Sequence, residues 1–220
     1  MKTEATAPQV QNSSKEDGKG LADLTAKPTR RSQASTGSSV NKALLGLLLF
    51  LGTEVMFFGG LISTFLILRA GSSIWPPPDQ PRLPIEVTGI NTVILLISGF
   101  AMFRAVRAIQ KGDSQRLARW MAATAALGAV FLGVQGSEWI RLVKYGLTFT
   151  SSVFGATFYT LIGCHALHVT GGMLFLLFVL KRAFAGVYSR EKHSGVLLCS
   201  LYWYFVVGIW PFLYILVYLN

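Results

Sequence analysis

One carboxylate stands inside the first long apolar stretch of this 220-residue sequence, at Glu54 in Leu51-Gly52-Thr53-Glu54-Val55-Met56-Phe57-Phe58. An acidic side chain in such surroundings costs several kcal/mol if it meets hydrocarbon, so it must face protein, water or a partner, or carry a proton. That chemistry is proton holding, or a buried polar contact between helices or subunits. Far along the chain, His165 and His168 lie three residues apart in a second apolar stretch and share one face of a helix. Two histidines so spaced could supply two metal ligands, but a metal needs more. The remaining histidine, His193, falls in a loop among basic residues. The favoured reading pairs one of the two imidazoles with Glu54, and the plain alternative makes both of them satisfied core residues. Gln135 and Glu138 form a second polar pair at i and i+3, with Arg141 close enough to neutralise Glu138, while Asn91 could hydrogen-bond across helices. No Ser–His–Asp spacing, HExxH run, Gly-rich phosphate loop or paired carboxylates accompany them, so the sequence contains no self-sufficient catalytic site.

The elements that must hold these residues are membrane helices. The chain is 52% hydrophobic and 14% charged, with mean hydropathy +0.49, which leaves too little polar surface for a water-soluble globule. Five stretches can cross a hydrocarbon core of about 30 Å, at approximately 43–68, 88–108, 118–140, 152–180 and 195–219. Lipid offers no partner to an open peptide group, so all five are expected as helices. The fold expected is all-α, a single bundle of five transmembrane helices over 42–220, preceded by a disordered basic cytoplasmic tail over 1–41. That tail lacks the apolar core of a cleavable signal.

Charge sets the orientation. The net charge of +10 would point to nucleic acid in a soluble protein, yet no basic run is interleaved with aromatics. In a membrane protein Lys and Arg gather on the cytoplasmic side. Arg104, Arg107, Lys111, Arg116, Arg119, Lys181, Arg182, Arg190 and Lys192 fall on one side with the tail, against Arg69, Arg82, Arg141 and Lys144 on the other. The N-terminus is therefore expected in the cytoplasm and the C-terminus outside. Trp75, Trp139 and Tyr145 should mark the outer interface and Trp120 the inner one. Ala125, Ala129, Gly133 and Ser137 form a small-residue ridge on which another helix could lie, and Pro211 should interrupt the last helix. Cys164 and Cys199 form no CxxC pair and read as small buried hydrophobes.

Read together, these segments resemble subunit III of haem–copper terminal oxidases, the cytochrome c oxidase subunit 3 family, in its five-helix bacterial form. The likeness runs from about Leu44 to Asn220. It rests on Thr53-Glu54-Val55-Met56-Phe57-Phe58-Gly59-Gly60, Trp75-Pro76-Pro77, Asn91-Thr92 running to Ser98-Gly99, and Gln135 with Glu138. Phe158-Tyr159 followed by Gly163-Cys164-His165-Ala166-Leu167-His168-Val169-Thr170-Gly171-Gly172 is the most specific piece. The last helix departs from the family's Trp-His-Phe-Val-Asp pattern: Trp203 is followed by Tyr204, Val207 replaces the Asp, and Pro211 follows Trp210.

The resemblance implies a non-catalytic accessory subunit that binds no haem or copper itself. Subunits I and II would be its partners and would carry those groups. It would brace subunit I and support proton uptake during oxygen reduction, in the bacterial inner membrane, with Glu54, His165 and His168 as the buried polar set and Trp75, Trp203 and Trp210 as motif aromatics. Membrane lipids, phospholipid among them, and a larger respiratory supercomplex are further associations it allows. The neighbouring alternatives are the equivalent chain of a quinol oxidase or nitric oxide reductase. From another class comes a small proton-coupled transporter using Glu54 and the histidines as a relay, although no inverted repeat is visible.

Overall fold

The computed structural model describes residues 31–77 and 83–219, with side chains from residue 42 onward. Five helices follow one another: α1 (Arg31–Ala70), α2 (Ile85–Gln110), α3 (Ser114–Lys144), α4 (Val153–Phe184) and α5 (Ser194–Tyr214), the last continuing as a π turn over Ile215–Leu219. Each has a span long and apolar enough to cross a membrane, Lys42–Ala70 in α1 and Ser194–Leu219 at the end of the chain. The shortest spans have 26 residues, about 39 Å at helical rise, against a hydrocarbon core of about 30 Å. The described residues contain no strand.

The helices outrun the apolar stretches read from the sequence because their ends are set by capping. Asp113 accepts a bond from the Arg116 amide at 2.9 Å and starts α3, while Ser152 accepts from the Gly155 amide at 3.0 Å and starts α4. Gly112, at φ +82°, supplies the left-handed residue that turns the chain sharply between α2 and α3. The expected tail over 1–41 is only partly open to inspection, since residues 1–30 lie outside the described residues. From Arg31 the chain is helical, ahead of the expected start at 43. Once a strong apolar helix is nucleated, each further residue adds a hydrogen bond without a new nucleus, so helix propagates into polar flanks. The described residues from 43 onward form one compact unit.

Within this unit, α2 to α5 interlock. Trp203 and Trp210 are fully buried, seven residues apart on one face of α5. Their indoles donate to Ser98 Oγ at 3.2 Å and Thr92 Oγ1 at 2.8 Å on α2. Helix α2 passes so close to α5 that a Cβ on Gly99 would lie 3.2 Å from Val207. A Cβ on Gly128 of α3 would come within 2.8 Å of the Trp203 ring, and one on Gly172 of α4 within 3.3 Å. These glycines admit the tryptophan.

The small-residue ridge expected on α3 does not make this contact. Of its four residues Ala125 is buried, whereas Ala129, Gly133 and Ser137 face outward, and nothing lies within 4 Å of a Cβ built on Gly133. Thr124, Gly128, Phe131, Gln135 and Glu138 face the core instead. The polar side chains set the rotation of α3, because burying Gln135 and Glu138 away from lipid outweighs close packing of small residues. Gly59 and Gly60 on α1 likewise meet nothing. The last helix runs through Pro211, and the Ile215 amide bonds back to the Phe212 and Pro211 carbonyls.

Candidate functional site

Helix α1 is bound far more lightly than the others. Only 6% of an 18-residue apolar stretch within its span is buried, against 39–44% in the corresponding stretches of the other four. Phe58 and Phe65 are its two fully buried anchors, with Leu61 and Ile62 half-buried beside them. The polar anchor is Glu54. Its Oε2 lies 2.8 Å from Nε2 of His168 on α4, both side chains largely shielded from solvent. Counted along the two helices, this contact falls near the middle of each span.

The second ring nitrogen of His168 decides how the first is used. Nδ1 lies 2.7 Å from the Cys164 carbonyl one turn earlier. A carbonyl only accepts, so Nδ1 carries the proton and donates. Two arrangements satisfy the remaining bond. Either a protonated Glu54 donates to a neutral Nε2, or an imidazolium donates from Nε2 to a carboxylate. Each is electrically neutral overall, and each holds one mobile proton between the same two atoms, which is how an ionisable pair is tolerated at this depth. Phe58 covers the ring edge-on at 5.1 Å, and the Tyr202 hydroxyl donates to the His168 carbonyl at 3.2 Å. Phe50 stacks near Tyr202 with centroids 6.3 Å apart, so α1, α4 and α5 meet around the pair.

His165 goes elsewhere. Its ring is 1% exposed and stacks on Trp210 with centroids 4.9 Å apart and planes 27° from parallel. Neither nitrogen has a protein partner. It lines a cavity of about 290 Å³ between α3 and α4, with Gln135, Trp139, Ala166 and Thr170. The two histidines read from the sequence as one face therefore have two separate surroundings. A three-residue step leaves them about 60° apart around the helix, enough for one to reach α1 and the other α5. They do not form a ligand pair. Both nitrogens of His168 are already engaged, and no group of three His, Cys, Asp or Glu side chains converges among the described residues.

The remaining sequence-derived residues serve helix contacts. Asn91 donates to the Phe131 carbonyl at 3.1 Å, linking α2 to α3. Gln135 donates to the Tyr218 hydroxyl at 3.1 Å. Glu138 accepts from Arg141 at 3.1 Å, the carboxylate buried and the guanidinium 66% exposed. Trp75 packs edge-on against Phe65 and Phe154 at 5.6 and 5.3 Å, fastening the loop after α1 to the start of α4. Sequence reasoning named Thr92 and Ser98 only as motif residues, without their role as indole acceptors, and missed Tyr202 and Tyr218. The seven-residue step from Trp203 to Trp210 was the available signal, since two buried indoles on one face each need an acceptor.

The match to known proteins follows the same segments. A family model described as cytochrome c oxidase subunit III matches residues 23–220. This chain belongs to the cytochrome c oxidase subunit III family. It is 42% identical over 177 residues to the cytochrome c oxidase subunit 3 of Synechocystis sp., covering 80% of this chain and 75% of that one. The corresponding protein of Thermostichus vulcanus is also 42% identical, over 80% of this chain and 86% of its own length. A probable cytochrome c oxidase subunit 3 of Nocardia farcinica is 33% identical over 81% and 88%. Family membership extends over all five helices, including the last one with its Tyr204, Val207 and Pro211.

Proposed function

We propose that this chain is the accessory subunit III of a proton-pumping haem–copper cytochrome c oxidase. It braces subunit I and supports proton uptake during oxygen reduction, while haem and copper reside in subunits I and II. The observation that carries this reading is the subunit III family match across 23–220. The relatives' names speak for cytochrome c oxidase over a quinol oxidase, a nitric oxide reductase or an independent transporter. The site supports the same reading chemically. Its polar side chains are mostly committed to holding helices together, and the Glu54–His168 pair holds a proton without net charge. Such a pair can pass or retain a proton beside a partner, but has no substrate geometry of its own.

The chain is a multi-pass membrane protein. Its place is the bacterial inner membrane, with the N-terminus in the cytoplasm, by the excess of Lys and Arg on that side. The lightly buried α1 is the helix with most surface left for subunit I or for lipid.

Affinity purification of the tagged chain in mild detergent, with mass spectrometry of what accompanies it, tests this reading. A large haem–copper subunit is expected at near one-to-one ratio. Recovery of the chain alone or as a homo-oligomer overturns the assignment. In the complex, Glu54→Ala should leave haem content intact, because no haem ligand is removed.

A further inference from the structure

Three side chains with orphaned polar atoms line the one cavity between α3 and α4. His165 is 1% exposed and Gln135 4%, so bulk solvent does not serve them. Neither nitrogen of His165, nor Gln135 Oε1, nor Trp139 Nε1 has a partner among the described residues. The Gln135 amide nitrogen already donates to the Tyr218 hydroxyl at 3.1 Å, which leaves its carbonyl as the free end. Buried polar atoms are costly when left bare, and four of them around one space call for a ligand.

The chemistry of the four atoms defines that ligand. With no carboxylate on either nitrogen, His165 stays neutral at this depth, and a neutral imidazole offers one N–H and one lone pair. Trp139 adds a second N–H and Gln135 a second acceptor. An anion would leave both acceptors unmatched, a cation both donors, and a ketone or ester can only accept. A hydroxyl both donates and accepts, so it meets both kinds of group. The rest of the cavity is apolar, walled by Phe131, Trp210 and the Trp139 ring. Its volume of about 290 Å³ is close to the lower end, roughly 300 Å³, of pockets that hold small organic molecules. A water takes up only roughly 30 Å³, and a cluster filling this space would face aromatic rings with most of its hydrogen bonds unmade. Half-buried Gly136 and Ala166 and exposed Thr170 form the rim, leaving it open on the flank of the bundle.

We propose that this cavity binds a neutral, membrane-dissolved molecule of the phenol class, its hydroxyl among His165, Gln135 and Trp139 and its ring against the aromatic walls. The site is built by this chain alone and shares no residue with the Glu54–His168 pair.

Photolabelling of the purified complex with 4-hexylphenol carrying a diazirine in its alkyl chain, followed by mass spectrometry of the labelled peptides, tests the proposal. Adducts should fall on α3 and α4 around the cavity, and unlabelled 4-hexylphenol should compete. Its methyl ether accepts but cannot donate, and should need a roughly 10-fold higher concentration in the detergent phase. Hexylbenzene should need more still. His165→Phe keeps a ring and removes both nitrogens, and should weaken labelling by a similar factor. A Cβ on Gly136 meets nothing within 4 Å, so Gly136→Leu should fold, crowd the rim and suppress labelling. Gly133→Leu, on the exposed face of the same helix, should leave labelling unchanged. Equal competition by hexylbenzene overturns the proposal, because retained water would then serve the polar atoms. Labelling undiminished in His165→Phe or in Gly136→Leu also overturns it, since the probe would lie elsewhere.

Discussion

Helix α1 and the block formed by α2 to α5 solve the same problem differently. The block buries tryptophans, threads them past glycines and ties each indole to a hydroxyl on another helix. Helix α1 has two buried phenylalanines and one bond between ionisable groups. The block owes its order to shape, which is distributed over many contacts and fails gradually. The docking of α1 rests on a few contacts, chiefly Phe58, Phe65 and the Glu54–His168 bond.

Changes in the block should have the largest effects. Trp203→Ala removes a fully buried indole and leaves Ser98 without its donor, a loss of about 3–5 kcal/mol. Thermal unfolding of the detergent-solubilised complex, followed through this subunit, should show a marked drop in midpoint. An unchanged midpoint would mean that the block is not held by its tryptophans.

Next comes the α1 contact. Glu54→Ala leaves His168 Nε2 unpaired at a cost of about 1–3 kcal/mol. Protease cleavage near α1 should accelerate while the midpoint of the block stays put. His168→Ala should do the same, and the double variant should be no worse than either single one, because both remove one interaction. An additive double variant would deny the coupling. Glu54→Gln sharpens the comparison: an amide can donate to Nε2 as a protonated carboxyl does. Docking preserved in Glu54→Gln shows that a neutral hydrogen bond suffices at this contact, and docking lost shows that the contact needs the carboxyl group.

His165→Phe should be milder than either. Both ring nitrogens lack partners, so a phenyl ring of similar shape keeps the stacking on Trp210 and removes buried polar atoms. The expected change is within about 1 kcal/mol, in either direction. Comparing His165→Phe with His168→Phe in the same cleavage assay separates the two histidines; equal effects would contradict the geometry. Smallest of all, Glu138→Gln should shift stability by less than about 1 kcal/mol, because its Arg141 partner is mostly exposed.

Much of this was legible beforehand for one reason: a membrane forbids most alternatives. The five spans, the helical class and the need for a partner at Glu54 all follow from the cost of polar groups in lipid. What was illegible depended on rotation. The ridge at Ala125, Ala129, Gly133 and Ser137 had the spacing of a packing face, yet α3 turns all of it but Ala125 outward to bury Gln135 and Glu138. His165 and His168 had the spacing of a pair, yet each meets a different helix. Local periodicity says which residues share a face, but not which face finds a neighbour.

By itself, then, the sequence determined how many helices cross the membrane, which residues are expensive there, and the family to which the order of motifs belongs. Those properties depend on composition and spacing, and the bilayer evaluates them one segment at a time. Tertiary structure alone decided that His168 rather than His165 receives Glu54, that Ser98 and Thr92 accept from Trp203 and Trp210, and that α1 stands nearly free of the rest. Each of these joins residues far apart in the chain, and only the rotation and close approach of packed helices brings them together.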